Sequence, residues 1–214
     1  MMHRLRGTAF VAVMSASVAN AQVGRMPAGM FEANIATEAQ LTGLPGMNAA
    51  LAKSVITARP FSSILGLDSL LGRTLSREQR TELYRKLFVH INLNTATREE
   101  IMLIPGAASK HVHEFQEYRP YKALAVFNRE MRKYWDQAEV DRLQSYVFVP
   151  LDLNSATDAD IMTIPGMTSK MLHEFKEYRP YDAVARYTRE MSKYVDAKEA
   201  ARLTRYVSMP PRSY

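Results

Sequence analysis

Apolar residues recur along this chain at helical spacing, and the pattern of stripes then repeats as a whole. Ile101, Met102 and Ile104 form a brief first stripe that stops at Pro105-Gly106. A residue before proline is pushed out of the helical region, so a short helix ends there. Val112, Phe115 and Tyr118 are spaced at three and share a face, which predicts a second helix from about Ser109 to Tyr118. Leu124, Phe127, Met131 and Tyr134 make a third stripe, and Val140, Leu143 and Val147 a fourth. Start signals precede two of them. Thr97 with Glu100 and Asp136 with Glu139 each read as a capping box, in which a side-chain oxygen takes a free backbone N–H and an acid reaches back. Short extended pieces such as 148–153 join the units, and no other strand is expected.

The four-stripe pattern occurs three times with a period of sixty residues and no gap. Pro45, Pro105 and Pro165 fall in register, as do Gly46, Gly106 and Gly166, Asn34, Asn94 and Asn154, and Arg59, Arg119 and Arg179. A fixed period of this kind marks one supersecondary unit copied in tandem. The expected fold is all-α, with repeats of about four short helices at 31–90, 91–150 and 151–210; the first is the most divergent. A unit of this size is marginal alone, so neighbours are expected to share buried surface.

Outside the repeats, Arg4 and Arg6 precede an apolar run from Gly7 to Val18, and Ala19-Asn20-Ala21 offers small residues for cleavage. That reads as a signal peptide over 1–21, its apolar run too short to span a bilayer, with an uncleaved N-terminal anchor as the alternative; the protein is expected in the periplasm or outside the cell. Residues 22–30 carry Gly24, Pro27 and Gly29 and read as a flexible leader; 211–214 form a tail. The 214 residues contain no cysteine, so disulfides and thiolate chemistry are excluded. The net charge of +6 is less informative than it looks, because acids and bases cancel within the second and third repeats. A basic face of the kind nucleic-acid domains carry is therefore not evident from composition.

The candidate chemistry is that of binding, not catalysis. No Gly-rich phosphate loop, nucleophile elbow or paired-acid constellation occurs. The carboxylates sit at caps or beside cations, as Glu114 does four residues after Lys110. His113 and His173 are equivalent but have no second ligand at helical spacing, so neither a metal nor a cofactor is expected. Tyrosines and methionines such as Tyr118, Tyr134 and Met131 fall mostly on the apolar stripes and read as core. Arg119 follows the second helix and could bond its last carbonyls.

A short helix, a Pro-Gly turn and a second helix, flanked by Asn-Leu-Asn-Thr-Ala-Thr over 92–97 and by Tyr118-Arg119-Pro120-Tyr121, resembles the helix-hairpin-helix element of ComEA-like competence proteins. The matching positions are Asn92, Asn94, Thr95, Ala96, Ile104, Pro105, Gly106, Tyr118 and Arg119. In the third repeat they are Asn154, Ala156, Ile164, Pro165, Gly166, Tyr178 and Arg179. The resemblance implies sequence-independent binding of double-stranded DNA after export, with backbone N–H groups at the start of the second helix facing phosphates. The contact residues it implies are Gly46, Gly106, Ala108, Ser109, Lys110, Gly166, Thr168, Ser169 and Lys170. The chain departs from the family at the second hairpin glycine, where Asn48, Ala108 and Thr168 stand. Residues 44–63 also resemble the extrinsic, lumenal helix-hairpin-helix subunit of photosystem II, which docks on proteins. A periplasmic protein partner or scaffold role is the alternative, since one fold serves both.

Overall fold

The computed structural model describes residues 22–209. The expected signal peptide at 1–21 and the tail at 211–214 lie outside the described residues. The described chain is mostly helical, with very short strands. The first repeat runs β1 (Phe31–Glu32), α1 (Glu38–Thr42), α2 (Ala49–Ala58), α3 (Ile64–Leu71), α4 (Arg77–Leu83) and β2 (Leu87–Phe88). The second runs β3 (Ile91–Asn92), α5 (Arg98–Met102), α6 (Ser109–Glu117), α7 (Leu124–Met131), α8 (Gln137–Gln144) and β4 (Val147–Phe148). The third runs β5 (Leu151–Asp152), α9 (Asp158–Ile161), α10 (Ser169–Glu177), α11 (Val184–Met191), α12 (Ala197–Thr204) and β6 (Val207–Ser208).

The expected linkers are thus strands. Each repeat pairs its first strand with its last, in parallel, as Ile91 with Val147 and Leu151 with Val207 show. Val147, expected at the end of a helical stripe, belongs to such a strand. The capping boxes at Thr37, Thr97 and Thr157 form in full. At Asp136 and Asp196 only half forms: the aspartate accepts the Glu139 or Glu199 N–H, but each glutamate turns to an arginine three residues on.

Two side chains close each repeat on itself. The Asn94 amide accepts the Tyr121 N–H at 2.6 Å and donates to the Tyr121 carbonyl at 2.9 Å. Arg119 donates from Nε to the Leu93 carbonyl and from Nη2 to that of Ala96, both at 2.6 Å. Asn34 with Arg59, and Asn154 with Arg179, repeat the arrangement. The arginine is structural, but it holds the start of the repeat and not the last carbonyls of its own helix.

Residues 22–30 are not a flexible leader. Val23 is buried and bridges Phe148 antiparallel. The Gln22 carbonyl accepts the Val149 N–H at 2.7 Å, and Gly24 donates to the Val147 carbonyl at 2.9 Å. The Gly24 carbonyl meets His90 Nε2 at 2.9 Å. A side chain at Gly24 would collide with the Gln144 carbonyl, its Cβ 1.7 Å away. The segment fills the outer edge of β4 and touches the first repeat beyond it.

The repeats also hold one another. The Phe88 ring packs on Tyr146 at 4.9 Å, and Phe148 in turn on Tyr206 at 4.7 Å. Ser63 donates to Glu100 across the first seam at 2.5 Å. Between the first and third repeats, Arg205 donates to the Ser62 and His90 carbonyls at 3.1 and 2.9 Å. Glu32 is buried in this seam near Arg202 and Arg205, and its carboxylate accepts from the Asn34 backbone and amide. Burial pushes the Glu32 pKa up and pushes that of His90 down to about 4.

Candidate functional site

Each Pro-Gly turn links the first two helices of its repeat. Gly46, Gly106 and Gly166 have φ of +76°, +84° and +78°, and the residue after each glycine donates back to the residue before the proline. This is a type II turn, which needs positive φ at its third residue. All three glycines are exposed, as are Ala108, Ser109 and Lys110, and Thr168, Ser169 and Lys170.

The three turns differ in how the next helix begins. The residue in the place of the family's second glycine has extended φ, between −110° and −133°, so its backbone does not require glycine. It is the N-cap of the second helix. Asn48 caps α2 by accepting the Leu51 N–H at 2.9 Å, and Thr168 caps α10 by accepting that of Met171 at 3.2 Å. Ala108 has no such oxygen. In α6 the His111 ring turns back instead and its Nδ1 accepts the Ala108 N–H at 3.0 Å. The first N–H groups of α6 therefore stay open, with the partial positive charge of a helix start behind them.

The charges around the turns obey the same division. Beside α6, the exposed Arg98 donates from Nη2 to Ser109 Oγ at 2.9 Å. Its equivalents are Glu38 in the first repeat and Asp158 in the third, the latter ion-paired with Lys176. Lys110 does not pair with Glu114, which is buried. Its Nζ lies 5.0 Å from the Tyr134 ring centroid and 5.3 Å from that of Trp135. His111 stacks on Trp135 at 4.4 Å, and burial lowers its pKa, partly offset by Glu139. Arg142 lies behind the turn, donating to the Pro105 carbonyl at 2.6 Å and to both Glu139 oxygens.

The third turn lies against the first repeat. A Cβ on Gly166 would meet Ile35 Cγ2 at 3.5 Å and Arg202 Nη2 at 3.2 Å. Arg202 is 2% exposed and bonds Glu199, whereas its counterpart Arg142 keeps a partly open side chain. The three turns, equivalent in the sequence pattern, are thus unlike in the structure. Positions 38, 98 and 158, compared in register, show the change of sign at Arg98 in the sequence itself.

Not every tyrosine of the apolar stripes lies in the core. Tyr134 and Tyr194 are exposed, each sharing a hydroxyl–hydroxyl hydrogen bond with Tyr118 or Tyr178, at 2.8 and 2.6 Å. Glu130 and Glu190 are buried and are held by Arg129 with Lys133 and by Arg189 with Lys193. Glu114 and Glu174 are buried as well. Glu117 and Glu177, three residues further on, stay exposed. Among the described residues no cluster of His, Asp and Glu side chains could hold a metal ion, and no helix is long and apolar enough to cross a membrane. No protein-family model, curated protein or solved structure matches this chain.

Proposed function

We propose that this is an exported, non-catalytic helix-hairpin-helix protein that binds the phosphate backbone of double-stranded DNA, chiefly through its second repeat. The observation that carries the reading is the uncapped start of α6 at Ala108, with Arg98 and Lys110 beside it. Free N–H groups, a helix dipole and two cations at one exposed turn suit an anion that carries no sequence information. Gly106, Ala108, Ser109 and Lys110 remain contacts in this reading. Gly46, Gly166, Thr168, Ser169 and Lys170 become secondary, because their helices carry their own caps and have an acid where Arg98 stands.

The test is anisotropy of a labelled duplex of about 30 base pairs, titrated with the chain from residue 22 at several salt concentrations. Affinity falls steeply with salt and is lost in Arg98→Glu, Lys110→Glu, but is largely kept in Lys170→Glu. An absence of binding at low salt eliminates the DNA reading.

An envelope protein partner is the second reading. The filled caps at Asn48 and Thr168 and the balanced charge of the last two repeats favour it. In that case Ala108 variants leave DNA affinity at the background level and change what co-purifies with the chain.

A further inference from the structure

We infer that the phosphate path continues from the second turn into the cleft between the first and second repeats, with Arg77 as a further contact. This rests on the phosphate-binding reading of that turn. The cleft has a volume of about 540 Å³. Pro105, Gly106 and Ala107 line one wall, and Arg77, Arg80 and Tyr84 of α4 and its cap line the other. The turn that would grip a phosphate is therefore also the rim of a groove whose far side belongs to another repeat.

The charges of the groove are not equally available. Asp68 lies within it, but one of its oxygens accepts both Arg80 Nε at 2.8 Å and the Tyr84 hydroxyl at 2.6 Å. Arg80 also donates to the Leu75 carbonyl at 2.8 Å, so Arg80 and Asp68 form a fixed, mutually neutralising pair. Glu99 lines the cleft beside Arg98 in sequence, a rim acid next to a rim cation. Arg77 is exposed and has no ion pair among the described residues; its backbone carbonyl accepts the Thr81 hydroxyl. Its guanidinium is the uncommitted cation of the groove, and a planar fork of donors suits a phosphodiester.

Register makes the assignment specific to this seam. The positions equivalent to Arg77 are Gln137 and Ala197, and those equivalent to Arg80 are Val140 and Ala200. At these two positions arginine stands in the first repeat alone. Successive phosphates of a strand advance by about 3.4 Å along the duplex axis, so a strand anchored at Gly106 carries its neighbouring phosphates past the groove mouth.

The experiment uses the same duplex titration with Arg77→Ala, Arg77→Lys and Lys122→Ala, the last an exposed cation away from the groove. Far-ultraviolet circular dichroism checks that each variant is folded. Arg77→Ala is expected to weaken binding several-fold and to reduce the slope of log affinity against log salt by about one. Arg77→Lys retains most of the slope, and Lys122→Ala matches the wild type. A wild type that binds with Arg77→Ala indistinguishable from it overturns the groove assignment and leaves the turn intact. A wild type that does not bind at low salt overturns the parent reading and this one together.

Discussion

Single side chains close each repeat by bonding backbone far away in sequence. Asn94 holds the Tyr121 N–H and carbonyl, and Arg119 holds the Leu93 and Ala96 carbonyls. Asn94→Ala leaves both polar groups of a buried residue without their partner, and each such group costs about 1–3 kcal/mol. We expect the variant to lose roughly 2–4 kcal/mol in urea denaturation while Asn92→Ala loses less, since Asn92 bonds only the nearby Asn94 N–H. Both Asn94 and Arg119 are legible in the sequence as a recurring pattern. Their task is not, because the partners lie 26 and 27 residues distant and nothing local points to them. Arg98 is hidden for another reason: as the first residue after a cap, it looks like part of the start signal for α5.

At the scale of the element, the start of the second helix separates the repeats. Helix starts are readable because caps act over three residues, and all three threonine boxes form. The two-residue parallel strands are not readable, because pairing Ile91 with Val147 requires the whole repeat to be folded first. Ala108→Asn should install on α6 the cap that Asn48 gives α2. It is expected to stabilise the protein by about 0.5–1 kcal/mol in thermal or urea denaturation. The same change should weaken duplex binding, because the new oxygen occupies one of the open N–H groups. Stability and affinity moving in opposite directions would separate this effect from simple damage to the fold. A variant in which both rise contradicts the open-helix reading.

The whole molecule depends on seams that the sixty-residue period announces but does not describe. The leader segment, rich in glycine and proline, reads as loose in the sequence. It is held because Val149 N–H and the Val147 carbonyl at the edge of β4 need partners, and because Gly24 alone fits against Gln144. His90 meets the Gly24 carbonyl and lies beside the third repeat, 6.5 Å from the Tyr206 ring. Burial holds the His90 imidazole neutral down to about pH 4, and the Arg205 charge adds to this. A base with a depressed folded pKa contributes stability that is full above about 6.5 and is lost as pH falls towards 4. Glu32, raised by burial, works in the opposite sense. We expect the urea midpoint to fall between pH 6.5 and 4 by less in His90→Gln than in the wild type; equal falls would remove His90 from the seam's acid response.

The ring contacts between repeats form a relay in which Phe88 receives Tyr146 and Phe148 receives Tyr206. In the third repeat the receiving position is Ser208. A fourth unit stacked in the same manner would set its tyrosine against a hydroxyl and forgo an aromatic contact of about 0.5–1.5 kcal/mol. Within these three repeats the relay of rings therefore stops at position 208.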